Sequence, residues 1–104
     1  MVHCDVIERD GDHVVLGIRG DLSAKLMTDV LRESLEEHYV DDGVRLIRLD
    51  LSGVRFMDSY GVATLVGLRR ASQDRGKRFV VEGATGQVRD KLQVTGVLGI
   101  LERG

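Results

Sequence analysis

The sequence predicts an α/β domain: a mixed sheet of about five strands, an N-terminal hairpin and then parallel strands, with helices mainly on one face. Three observations carry this. Two alternating apolar runs flank the turn-forming dipeptide Asp10-Gly11. Three later stretches place apolar residues at helical spacing, each followed by a short strand-like run. The run containing Ile47 and Leu49 alternates with Arg48 and Asp50, the pattern of a strand with one face left uncovered by helices. A strand, a helix and a second strand in one sheet require a right-handed parallel crossover, whereas the opening hairpin is antiparallel.

The hairpin comes first. Val2, Cys4 and Val6 alternate with polar neighbours, and Val14, Leu16 and Ile18 do the same after the turn. Leu26, Met27, Val30, Leu31, Leu35 and Tyr39 then follow a helical rhythm, so the first helix is expected from about Ser23, its N-cap, to about Tyr39. Arg45 to Leu51 reads as the next strand, with Ile47, Leu49 and Leu51 on one face. Ser59 to about Gln73 reads as a second helix burying Val62, Leu65 and Val66. Phe79 to Glu82 is a short strand, Thr85 caps a third helix that carries Val88, Leu92 and Val94, and Val97 to Leu101 is expected as a last strand.

The chain has 104 residues, 42% hydrophobic and 31% charged, with no proline and no low-complexity segment, and is read as a single domain over 1–104. A net charge of -2 with both signs interspersed, and only 4% aromatic residues, argue against direct binding of nucleic acid. The lone cysteine cannot form an internal disulfide, and no apolar run has the length of a membrane span, so no direct membrane insertion is expected. His3, Asp5, Glu8, Arg9 and Asp10 interrupt any apolar leader, which points to a cytoplasmic protein.

The most informative stretch is Asp50-Leu51-Ser52-Gly53-Val54-Arg55-Phe56-Met57-Asp58-Ser59-Tyr60-Gly61-Val62. It leaves a strand and enters a helix at Asp58-Ser59. Taken alone, these residues favour plain capping: Asp58 accepts first-turn N–H groups, and Gly61 permits close packing. They also fit a phosphoacceptor, because a Ser59 hydroxyl in the first turn faces solvent, and its phosphate would meet free N–H donors at the positive end of the helix dipole. Other chemistry is absent from the pattern. Gly-x-Ser-x-Gly would need glycine at Met57, three scattered histidines (His3, His13, His38) and one cysteine make no metal set, and Gly83-Ala84-Thr85-Gly86 lacks the lysine of a phosphate loop. No catalytic residue, metal or cofactor is expected, and the chain is read as a non-enzyme.

Phe56-Met57-Asp58-Ser59-Tyr60-Gly61-Val62, together with Leu46-Ile47-Arg48-Leu49-Asp50-Leu51 and Ile18-Arg19-Gly20-Asp21-Leu22, resembles the STAS domains of anti-sigma factor antagonists. The likeness extends through Phe79-Val80-Val81 to Leu92-Gln93-Val94-Thr95-Gly96-Val97. It implies a STAS-type fold and a bacterial regulator that binds an anti-sigma factor serine kinase and so releases a sigma factor. It further implies that the kinase phosphorylates Ser59, abolishing binding, and that a PP2C-type phosphatase restores it. The partner-binding surface implied comprises Asp21, Ser23, Met57, Asp58, Tyr60 and Gly61. Two positions depart from the family's habit: its usual Gly-Glu-Leu-Asp is here Gly20-Asp21-Leu22-Ser23, and Tyr60 stands where relatives often have a small residue. The alternative within the same resemblance is a constitutive STAS scaffold, a subunit of a stress-signalling or lipid-transport complex.

Overall fold

A computed structural model describes residues 2–104, with the side chain of Met27 outside the described part. Its elements in chain order are β1 (His3–Asp10), β2 (His13–Leu22), α1 (Ala24–Val40), β3 (Leu46–Met57), α2 (Ser59–Asp74), β4 (Arg78–Glu82), α3 (Gly86–Val94) and α4 (Leu98–Arg103). The strands form one sheet in the order β1-β2-β3-β4. β1 pairs antiparallel with β2 through the two-residue turn Gly11-Asp12, one residue on from the expected Asp10-Gly11, with Asp10 paired to His13 and Gly11 at φ 60°. The β2–β3 and β3–β4 pairs are parallel, joined by α1 and α2 as crossovers.

All four helices pack on one face. Val14, Leu16 and Ile18 of β2, Ile47, Leu49 and Leu51 of β3, and Phe79 and Val81 of β4 share a single core with Leu31, Leu35 and Tyr39 of α1, Val62, Leu65 and Leu68 of α2, Val88 and Leu92 of α3, and Leu98 and Leu101 of α4. Their alternates Arg48, Asp50 and Glu82 are only half-buried, and Arg48 faces Glu82 across the β3–β4 pair at 3.8 Å. The alternation therefore reports an uncovered sheet face, as expected.

The structure departs from the sequence reading at several places. The sheet has four strands, because Val97 to Leu101 is not a strand but leads into α4, where Leu98 and Leu101 are buried one helical turn apart and Ile100 is exposed. β3 does not stop at Leu51 but continues to Met57, carrying Ser52-Gly53 within it. Glycine is required there: a Cβ on Gly53 would lie 2.8 Å from the Ile18 carbonyl oxygen and 2.8 Å from Arg19 Cγ. Val66 of α2, Val94 of α3, and Leu26 and Val30 of α1 are exposed rather than buried, because Leu68 and Thr64 complete the inner stripe of α2 and Leu31 and Leu35 that of α1.

The long β3 and the single-residue link Ser23 after β2 bring the N-termini of α1 and α2 to the same end of the sheet, at the carboxyl ends of β2 and β3. Leu22 pairs with Met57 as the last rung, and the Asp58 N–H donates to the Leu22 carbonyl at 3.3 Å. In open α/β sheets this end is where sites are built.

Candidate functional site

The Asp58-Ser59 turn is held from three sides. Asp58 is the N-cap of α2: its Oδ1 accepts the N–H of Tyr60 at 2.9 Å and of Gly61 at 3.1 Å, while its carbonyl accepts the N–H of Val62 at 3.1 Å. Its Oδ2 reaches across to α1 and accepts the N–H of Ala24 at 3.0 Å. One carboxylate thus caps two helices. These donors, Ala24 first, hold the Asp58 carboxyl below the usual range against a smaller opposing effect of burial.

Gly61 sets the depth of the turn. A Cβ there would come within 2.3 Å of the Leu22 carbonyl oxygen and 2.6 Å of Met57 Cγ, so only glycine lets α2 sit this close to the end of β2. From the third side, Gln87 in the first turn of α3 hydrogen-bonds the backbone of Met57, the residue before Asp58.

Ser59 lies on the outside of this frame, exposed at the first position of α2. Tyr60 and Phe56 in the same segment and Leu26 in the first turn of α1 are also exposed, at 54%, 45% and 68%. Asp21 is exposed and lines a shallow groove with Arg19, Gly20, Ser52, Gly53 and Arg55. Ser23 is half-buried, and its hydroxyl makes no capping bond.

Three expectations about this segment need correction. Met57 is not a surface residue: its side chain points to the helix face of the sheet and is fully buried among the core residues. Gly61 is likewise buried, and its role is packing. The N–H groups of Tyr60 and Gly61 are not free to receive an anion at Ser59, because Asp58 already occupies them.

The sequence reading puts Asp58, Ser59 and Tyr60 within one turn, as observed, whereas Asp21 lies at the end of β2, and Ser23, expected to cap α1, precedes that helix without a capping bond. It missed Ala24, Gln87, Phe56 and Leu26. A glutamine in a first helical turn carries no signal of its target, and an N–H group carries no sequence signal at all. Among the described residues there is no group of three or more His, Cys, Asp or Glu side chains placed to hold a metal ion, and no helix is long and apolar enough to cross a membrane.

A family model described as "Mlab, STAS domain" matches residues 6–102. The chain belongs to the STAS domain family. This STAS domain is 30% identical over 101 residues to an anti-sigma-B factor antagonist of Listeria monocytogenes, an alignment covering 97% of this chain and 87% of the relative. Its fold is similar to that of the anti-sigma factor antagonist SpoIIAA in its unphosphorylated form, with TM-score 0.76, 22% identity, and coverage of 98% of this chain and 85% of that one. It is also similar to an anti-sigma factor antagonist from Mycobacterium paratuberculosis, with TM-score 0.77, 20% identity, and coverage of 97% and 83%. The STAS-type fold expected from the sequence is therefore the fold of this chain.

Proposed function

We propose that this STAS domain is an anti-sigma factor antagonist: it binds an anti-sigma factor serine kinase, thereby releases a sigma factor, and is switched off by phosphorylation of Ser59. The observation that carries the reading is an exposed serine on a rigidly capped helix start, beside exposed Tyr60, Phe56 and Leu26. The curated relative's name supports the same reading. The domain acts as a substrate and binding partner, not as an enzyme. Asp58, the carboxylate adjacent to Ser59, accepts three backbone N–H bonds, which leaves it a cap rather than a general base.

In the switching step the kinase transfers the γ-phosphoryl group of ATP to Ser59 Oγ. The O–P bond to ADP breaks, a new O–P bond forms, and the hydroxyl proton passes to a base of the kinase. A PP2C-type phosphatase returns the serine by hydrolysis. Both steps belong in the cytoplasm, where the sigma factor is to be released. The phosphoserine carries about -1.5 to -2 charges next to an ionised carboxylate. Burying such a group against apolar contacts without a paired cation costs several kcal/mol, enough to remove micromolar affinity.

The test combines co-incubation with the anti-sigma kinase and ATP, followed by mass spectrometry, with calorimetric titration of wild type, authentically phosphorylated protein and Ser59→Ala against that kinase. Ser59→Ala is expected to bind as wild type does and to resist inactivation. Equal affinities of the phosphorylated and unphosphorylated proteins would remove Ser59 as the switch. The second reading, a constitutive STAS scaffold subunit of a stress-signalling or lipid-transport complex, predicts no modification of Ser59 in the same co-incubation.

A further inference from the structure

The first N–H of α1 is satisfied from a distance. Ser23 precedes the helix, yet its hydroxyl caps nothing, and the Ala24 N–H donates instead to Asp58, thirty-four residues along the chain. Ala24 also stands at φ 63°, the one positive φ among the described non-glycine residues. For a residue with a Cβ that conformation costs about 1–2 kcal/mol. It persists where surrounding bonds over-determine it, and here the bond is to a single oxygen of Asp58.

We propose that Asp58 is a positioning residue that clasps the first turn of α1 to the Ser59 turn, and that a phosphate on Ser59 opens this clasp. The proposal rests on Ser59 being the phosphoacceptor and adds a consequence: modification reshapes the neighbouring helix start as well as charging the surface. The donors nearest the new phosphate are the first-turn N–H groups of α2, and Asp58 Oδ1 holds those of Tyr60 and Gly61. A phosphate is the stronger competitor for them, with three acceptor oxygens and more charge. The two anions also repel. No basic side chain of the α1 first turn is uncommitted, since the Lys25 ammonium lies 2.8 Å from Asp29.

A carboxylate displaced from Tyr60 and Gly61 loses the two bonds that fix its orientation, and turning away from the phosphate carries Oδ2 off the Ala24 N–H. Ala24 then loses its partner and relaxes out of the left-handed region. Leu26, exposed in that same turn, moves relative to Tyr60.

The experiment uses the full chain carrying phosphoserine at 59, installed by semisynthesis so that no kinase is needed, with amide hydrogen exchange read by NMR at Ala24, Tyr60 and Gly61. Asp58→Asn is the surgical comparison. Its amide oxygen can still cap Tyr60 and Gly61, but its NH2 would face the Ala24 N–H, donor against donor. Asp58→Ser, a good N-cap too short to reach Ala24, is the second variant should the first fold poorly. Phosphorylation and both variants are expected to speed exchange at Ala24 by about tenfold or more, the loss of one charge-assisted hydrogen bond, while the two variants keep Tyr60 and Gly61 protected. Ala24 exchange in the phosphoprotein equal to that of the unmodified chain would overturn the proposal, as would unchanged Ala24 exchange in both variants. Failure of the kinase to modify Ser59 would sink the functional reading instead and leave these exchange rates as they are.

Discussion

The side chain of Gln87 pairs with the backbone of Met57 as a neighbouring strand would: Oε1 accepts the Met57 N–H and Nε2 donates to the Met57 carbonyl, both at 2.9 Å. β4 pairs with β3 only as far as Asp50 and Glu82, so the last residues of β3 have no strand on that side. The first turn of α3 supplies the missing partner, one residue before Asp58.

Replacing Gln87 by Leu should destabilise the protein by about 1–3 kcal/mol, because two polar groups at a half-buried strand end lose their partners at once. Gln87→Glu should not rescue it, since a carboxylate can accept from the Met57 N–H but turns a negative oxygen toward the carbonyl. Urea unfolding measures both. Wild-type stability in either variant would mean that water replaces the amide without cost.

Two glycines of α2 should respond oppositely to alanine. At Gly61 the added Cβ meets the Leu22 carbonyl oxygen at 2.3 Å, and backbone must move to admit it. Gly61→Ala should therefore cost on the order of 3 kcal/mol or more and disturb the Ser59 turn. Gly67 is exposed in the same helix, with nothing within 4 Å of a built Cβ. Gly67→Ala should stabilise by about 0.5–1 kcal/mol through helix propensity alone. Thermal melts of the two single variants decide; a shift in the same direction for both would contradict the packing account of Gly61.

The elements with strong periodicity were legible in the sequence. Ser59, Thr85 and the Asp10-Gly11 turn fall within a residue of the observed boundaries, although Thr85, expected to cap α3, makes no side-chain capping bond, and the alternation at Arg48 and Asp50 correctly reports a bare sheet face. The errors occur where a short segment carries two compatible patterns. Val97-Leu98-Gly99-Ile100-Leu101 reads equally as a buried strand or as a helix with Leu98 and Leu101 inward, and packing against β4 chose the helix. Ser52-Gly53 is a turn signal locally, but the strand runs through it because β2 goes on pairing beyond it, Arg19 with Gly53 and Gly20 with Val54. At the site, residue types named Asp58 and Ser59; the bonds from Ala24 and Gln87 depend on tertiary approach and have no local signature.

The Asp58 clasp also predicts a pH dependence. Its folded pKa lies below the unfolded value, so the associated stability is present above the unfolded pKa and is lost as pH falls through the folded one. Asp41 behaves alike, its carboxyl lowered chiefly by the Gly43 N–H, which lies 2.8 Å from Oδ1. Wild-type stability should therefore decline below about pH 4. Asp58→Asn should start lower at neutral pH and decline less steeply; parallel pH profiles would show that Asp58 contributes nothing through its charge.

Cys4 should be inert under native conditions. Burial first, then the nearby Asp5 and Glu37 carboxylates, push its thiol up to about 11. At pH 8 its thiolate fraction, and so its alkylation rate by iodoacetamide, should lie about a hundredfold or more below that of a free cysteine. Because the folded pKa is raised, this group's contribution to stability is complete below the unfolded pKa and lost as pH rises toward 11. Alkylation in the folded state at the rate of a model thiol would show that β1 opens readily from β2.

Met57 and Tyr60 flank the Asp58-Ser59 turn, and truncating them should separate folding from partner binding. Met57 is fully buried between the sheet and the helices, so Met57→Ala should cost about 2–5 kcal/mol of stability through the cavity it leaves. Any loss of binding would then track the loss of folded protein. Tyr60 is 54% exposed, and its ring contributes little to the core. Tyr60→Ala should leave the melting temperature nearly unchanged, yet weaken binding to the anti-sigma kinase by roughly tenfold or more if the ring anchors the contact, as exposed tyrosines at interfaces do. Thermal melts and calorimetric titrations on both variants read the two effects independently. A Tyr60→Ala protein that melts and binds as wild type does would move the contact surface off the Ser59 turn, leaving the exposed Leu26 and Phe56 to be tested in the same way.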